Sequence, residues 1–217
     1  MNTPSTPPRL AAAAAAASGP SHRRRGLLAL AFAPLLAATL AGCKKAPVAY
    51  KGMDITGAEY ARDFQLKDAQ GQVRTLADYR GKAVMLFFGF TQCPDVCPTA
   101  LTRAAEIRRL LGDDGQRLQV VFITIDPERD NPTVLGAYTQ VFDPSFIGLY
   151  GDLEQTAAAA KEFKVYYKKV PTGASYTMDH SAFSYVFDPQ GKPRLVLRHE
   201  QSAKDCADDL RQLLHSA

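Results

Sequence analysis

The sequence predicts an α/β fold, on three observations. Residues 83–88 are a continuous apolar run of strand length, and 118–125 are a second, largely apolar run, as strands buried on both faces require. Each run is followed by a segment whose apolar residues recur at helical spacing. The chain then closes with another pair of strand-like runs and an amphipathic helix. Strands alternating with helices imply a sheet covered on both sides.

Taken in order, Phe64, Leu66 and Val73 flank the turn Ala69-Gln70-Gly71, which predicts a small hairpin. The first buried strand runs into a turn bearing Cys93 and Cys97. Pro98 suits the first position of the next helix, with Leu101, Ala104, Ile107 and Leu111 on its apolar face and Gly112 at its end. After the second buried strand, Asn131-Pro132 reads as a cap and first-turn proline. It opens a helix through Val134, Leu135, Tyr138 and Val141. A short strand over 146–149 and a helix over 153–163 follow, and residues 171–179 read as a polar loop leading to His180. Residues 182–187 and 194–198 form a hairpin around Asp188-Pro189-Gln190-Gly191-Lys192, and a helix over 203–214 ends the chain. This is a thioredoxin-like order, with an N-terminal β-hairpin and an insertion before the final hairpin. Ligands of such sheets lie beyond the carboxyl ends of the strands, where the cysteine turn falls.

Residues 1–42 read as an export signal rather than as fold. They begin with Pro, Ser and Ala, including an alanine run over 11–17. They continue through Arg23, Arg24 and Arg25 and an apolar stretch over 26–39, and lead into Leu40-Ala41-Gly42-Cys43. The last four residues resemble the lipobox of bacterial lipoproteins, which implies acylation of Cys43 as the mature N-terminus. An uncleaved anchor is the alternative. The apolar run is shorter than the roughly 20 residues a spanning helix needs, and Pro34 interrupts it. Either way a domain over 58–217, joined by a linker over 43–57, faces the periplasm or extracytoplasmic side. Residues 1–42 carry Arg9, Arg23, Arg24 and Arg25 and no acid, so 22 basic side chains remain against 22 acidic ones. That balance gives no footing for a nucleic-acid partner.

The chain has four cysteines, Cys43, Cys93, Cys97 and Cys206. With Cys43 lipidated, a close pair and a single remain. In an exported protein such a pair points to a redox couple or a metal site. A helix beginning at Cys97 or Pro98 can turn both sulfurs toward one point, and its free N–H groups should depress the thiol pKa values. The thiolate is both metal ligand and redox nucleophile, so this step leaves the two functions open. Thioredoxin-type oxidoreductases place two residues between their cysteines and a cis-proline before the facing strand. Here the spacer is three residues, and Asp179-His180 occupies the proline's place. Two thiolates and an imidazole make a donor set for copper as Cu(I) or Cu(II), and one that also suits zinc.

The segment Phe88-Gly89-Phe90-Thr91-Gln92-Cys93-Pro94-Asp95-Val96-Cys97-Pro98-Thr99 resembles the Sco/SenC family, as do Thr124-Ile125-Asp126-Pro127-Glu128-Arg129-Asp130 and Asp179-His180-Ser181. The resemblance runs from Phe64 to the C-terminus. It implies copper as the metal, held by Cys93, Cys97 and His180. It also implies a metallochaperone that helps assemble the binuclear copper centre of cytochrome c oxidase, with subunit II as recipient and a copper donor protein upstream. The alternative is a thiol–disulfide oxidoreductase acting on the subunit's cysteines through a redox-active Cys93–Cys97 pair. A peroxiredoxin-like peroxidase fits poorly, because Phe90 stands where a threonine is needed.

Other residues are weighed and set aside. Met178 is a thioether two residues from His180 but reads as packing. Asp126 to Asp130 could shape the rim or cap a helix. Asp179 could orient His180 as an acceptor. Cys206 reads as a packed small residue, His199 and His215 as solvated, and Phe87, Phe88 and Phe90 as core.

Overall fold

The computed structural model describes residues 49–216, so residues 1–42, expected to be an export signal, and Cys43 lie outside the described residues. In chain order the strands are β1 (Met53–Asp54), β2 (Leu66–Asp68), β3 (Val73–Arg74), β4 (Ala83–Gly89), β5 (Leu118–Thr124), β6 (Ile147–Tyr150), β7 (Tyr167–Thr172), β8 (Ser175–His180), β9 (Ser184–Phe187) and β10 (Pro193–Leu197). The α-helices are α1 (Val96–Leu110), α2 (Pro132–Phe142), α3 (Leu153–Glu162) and α4 (Ala203–Ser216). Eight strands form one sheet in the order β1-β10-β9-β4-β5-β6-β2-β3.

Both apolar runs are central strands, β4 and β5, buried at every position and therefore covered on both faces. They pair in parallel from Ala83↔Leu118 to Gly89↔Thr124, which brings their carboxyl ends level. On the other side of β4, β9 runs antiparallel from Phe87↔Ser184 to Val84↔Phe187. The residues just before β9 therefore arrive at the same end of the sheet as the turn after β4. Phe88, Phe122, Phe163 and Phe187 fill the core around these strands, each stabilising the fold by about 1.5–3 kcal/mol on burial. Helix α2 starts as the sequence predicts: the Asn131 side chain accepts from the Val134 N–H at 3.0 Å, with Pro132 at the first position.

Three local expectations are corrected. Residues 171–179 are not a loop: β7 and β8 form a separate antiparallel hairpin, paired from Tyr167↔His180 to Thr172↔Ser175. Gly173, at φ 60, makes its turn, a backbone conformation that suits glycine. The hairpin escaped notice because most of its residues are exposed or half-buried. No apolar alternation marks it, and Pro171 reads as a breaker. Helix α1 starts at Val96, so Pro98 is its third residue, where the missing N–H is one of the unpartnered first-turn donors in any case. The segment 43–57 is not linker throughout. Met53–Asp54 pairs with β10, and the N–H groups of Lys51 and Gly52 donate to the Asp209 carboxylate of α4 at 2.9 and 2.7 Å.

Candidate metal centre

The cysteine turn hangs from the end of β4. The Cys93 N–H donates back to the Phe90 carbonyl at 3.3 Å, and the Cys97 N–H, in the first turn of α1, points at Cys93 Sγ from 3.4 Å. A helix-start N–H aimed at a sulfur favours its thiolate. Cys93 is half-buried and Cys97 fully buried, and both are free thiols. A buried Asp130 holds the turn from beneath. Its carboxylate accepts from the Thr91 N–H at 3.0 Å, the Thr91 hydroxyl at 2.5 Å and the Thr124 hydroxyl at 2.6 Å. Gly89 lies so close to the site that an added Cβ would stand 2.8 Å from Cys97 Sγ and 2.8 Å from the Phe122 ring.

His180 ends β8, and its Nε2 lies 3.8 Å from Cys97 Sγ. The ligand atoms of Cys93, Cys97 and His180 all lie within 4.8 Å of one another. Phe87 and Phe90 meet the imidazole edge-on, each with ring centroids 6.0 Å away, so these two core residues also frame the site. The imidazole is oriented by its own neighbour: Nδ1 lies 3.0 Å from the Ser181 carbonyl. A carbonyl can only accept, so Nδ1 carries the proton and Nε2 presents its lone pair to the sulfurs. Asp179 does not serve this purpose; it is exposed, and the carbonyl one residue beyond the histidine does the orienting.

The two sulfurs share their protons unequally. The Cys97 thiol donating to Cys93 holds the Cys93 pKa down at about 3, with help from the N–H groups of Asp95 and Cys97, against the burial that opposes it. Cys97 is pushed up because it supplies that hydrogen bond and because it is buried beside the Cys93 sulfur. The resting pair is therefore one thiolate and one thiol. Two thiolates and a neutral imidazole around one point make an S2N donor set of soft and borderline ligands, which fits copper.

Sequence reasoning missed Arg129, Tyr176 and Tyr138. Arg129 stands in the motif Asp126-Pro127-Glu128-Arg129-Asp130, so its position was visible but its role was not. Tyr176 lay in the supposed loop. Tyr138 entered only as one of the residues of α2; its hydroxyl is buried without a partner among the described residues, and burial and then the two cysteine sulfurs raise its pKa. Met178 is a buried core residue and Cys206 is fully buried on α4, as expected. His215 is held at 2.8 Å by Asp114 rather than simply solvated.

The SCO1/SenC family model matches residues 53–215. A SCO2-like protein of Rickettsia felis is 41% identical over 155 residues, covering 69% of this chain and 74% of that protein. The mouse mitochondrial SCO2 homolog is 39% identical over 154 residues, covering 69% of this chain but only 60% of its own length. The structure of Bradyrhizobium japonicum ScoI with copper bound superposes with a TM-score of 0.65 at 40% identity, covering 70% of this chain and 98% of that one. With a family match spanning nearly the whole described region, the chain belongs to the SCO1/SenC family.

Proposed function

We propose that this protein is a copper metallochaperone that binds one copper ion through Cys93, Cys97 and His180 and helps assemble the binuclear copper centre of cytochrome c oxidase. The observation that supports it best is the convergence of two sulfurs and an imidazole nitrogen within 4.8 Å, across two separate elements. The imidazole tautomer fits as well, since Nε2 is left free to donate. Copper is cargo here, received from a donor protein and passed to subunit II by ligand exchange. The chain would be tethered by a lipid on Cys43, with residues 1–42 removed and the domain on the periplasmic or extracytoplasmic side. Among the described residues no helix is long and apolar enough to cross a membrane. Copper-edge X-ray absorption of the purified protein, with and without His180, tests the site. One copper bearing two sulfurs and a histidine nitrogen supports it, while binding unaffected by Cys93→Ala or Cys97→Ala overturns it. Mass spectrometry of the mature N-terminus tests the lipid on Cys43.

A second reading, thiol–disulfide exchange, is favoured by the split protonation of the pair. The half-buried Cys93 thiolate would attack a disulfide of the oxidase subunit, and Cys97 would resolve the mixed disulfide. That leaves a Cys93–Cys97 disulfide on this protein and two thiols on the subunit. His180 is unnecessary for that step, so oxidase assembly retained in His180→Ala favours reduction, and assembly lost favours copper delivery.

A further inference from the structure

The hairpin β7–β8 carries His180 yet shares no ladder with the eight-stranded sheet. Side-chain contacts must therefore help set the distance from imidazole to cysteines. Arg129 reaches both sides. Its Nη1 donates to Gln92 Oε1 at 3.0 Å, one residue before Cys93, and to the Tyr176 carbonyl of β8 at 2.9 Å. Its Nε donates to Asp126 Oδ2, while the Tyr176 hydroxyl donates to Asp126 Oδ1 at 2.8 Å. The guanidinium carbon lies 3.6 Å from the Tyr176 ring centroid, in stacking range. These three residues close a ring of contacts rooted just beyond β5, where Asp126 is buried and its N–H donates to the Thr124 hydroxyl. Phe90 joins ring and site: its centroid is 6.0 Å from the guanidinium and 6.0 Å from the imidazole.

We propose that Arg129 is a positioning residue that latches the hairpin β7–β8 to the cysteine turn and so fixes His180 over Cys93 and Cys97. Its functional consequence rests on the copper reading above; its geometry does not. The simpler role would be to staple the turn after β5 through its pair with Asp126, three residues away. Two features go further than that role. Nη1 is committed to acceptors outside the turn. Nη2 is buried with no acceptor, a costly arrangement for a residue that only adds stability. A planar fork that also stacks on a ring is what arginine offers and lysine does not. A further link from the hairpin to this turn, Lys169 with Glu128, is largely solvated and correspondingly weak.

Amide hydrogen exchange on the reduced, metal-free protein tests the latch directly, comparing the natural chain with Arg129→Ala and Arg129→Lys. Both variants should exchange the amides of residues 175–180 about tenfold faster or more, while β4 and β5 keep their protection. With copper bound, the nitrogen donor should weaken or disappear from the X-ray absorption, and Cu(I) affinity should fall about 10–100-fold. Unchanged hairpin exchange, or protection lost equally across the sheet, overturns the latch. If Arg129→Ala does not fold, Tyr176→Ala removes the stacking face but leaves the Arg129–Asp126 pair, and the same pattern is expected. Faster hairpin exchange with unaltered copper coordination and affinity would sustain the latch but overturn its hold on the copper site, while His180→Ala alone judges His180 as a ligand, which separates the two claims.

Discussion

Cys97 Sγ and His180 Nε2 stand 3.8 Å apart although 83 positions separate the residues in the chain. Parallel pairing of β4 with β5 and antiparallel pairing of β4 with β9 bring the two to one end of the sheet. With the imidazole proton held on Nδ1 by Ser181, Nε2 is the only nitrogen able to donate to a metal. His180→Ala should therefore bind copper through sulfur alone, with affinity at least about tenfold lower, the size of loss that even an outer partner can cause. Its Cu(II)-thiolate absorption should vanish. A variant with unchanged spectra and affinity would remove the histidine from the site.

The unequal protons of the cysteine pair predict unequal reactivity. The Cys93 thiolate fraction rises as pH rises through about 3, whereas Cys97 keeps its proton. In the reduced protein at about pH 5, an alkylating reagent should modify Cys93 well ahead of Cys97, although an unperturbed thiol is inert there. Peptide mapping of the first modified cysteine decides it. Copper uptake near neutral pH should release about one proton, from Cys97, because both ligands must be thiolates. Calorimetry in buffers of different ionisation enthalpy measures that number, and a value near two would contradict the split.

Gly89 is required by space rather than by backbone conformation. In Gly89→Ala the new methyl meets Cys97 Sγ and the Phe122 ring, each at 2.8 Å. Overpacking of this kind costs about 1–3 kcal/mol, and here it also displaces a ligand. Chemical denaturation should report the lost stability and copper competition the weakened binding. Loss of stability with full copper affinity would mean that the ring, not the sulfur, gives way.

Asp130 holds the cysteine turn through three hydrogen bonds. Asp130→Ala leaves Thr91 and Thr124 donors without an acceptor and should cost about 2–4 kcal/mol. Asp130→Asn can keep an acceptor for the Thr91 N–H and should cost less. Burial raises the Asp130 pKa above its ordinary 3.8, so its contribution to stability is fully present below 3.8 and fades as pH rises through the folded-state value. The advantage of the natural chain over Asp130→Asn should accordingly shrink as pH is raised above 3.8. Urea midpoints that differ by a constant amount across this range would exclude the titration.

The alternation of buried strands and helices, the cysteine spacing and the distant histidine were all legible along the chain. A strand covered on both faces is mainly apolar, as 83–88 is throughout and 118–125 is apart from Gln119 and Thr124, and Asn131-Pro132 carries its own cap chemistry. The hairpin that presents His180 was not legible, because its exposed faces carry no apolar alternation. Nor was the link from Arg129 to Tyr176 and Gln92, since a motif names a side chain without saying which way it reaches.

The order of residues by itself determined the α/β class and which side chains could donate to a metal, because burial and donor chemistry are properties of residue types and their local spacing. Only the tertiary structure decided that Ser181 rather than Asp179 orients the imidazole, which sulfur keeps its proton, and what holds the hairpin in place. Those outcomes depend on distances of a few ångströms between segments far apart in the chain, and such distances exist only once the sheet has closed.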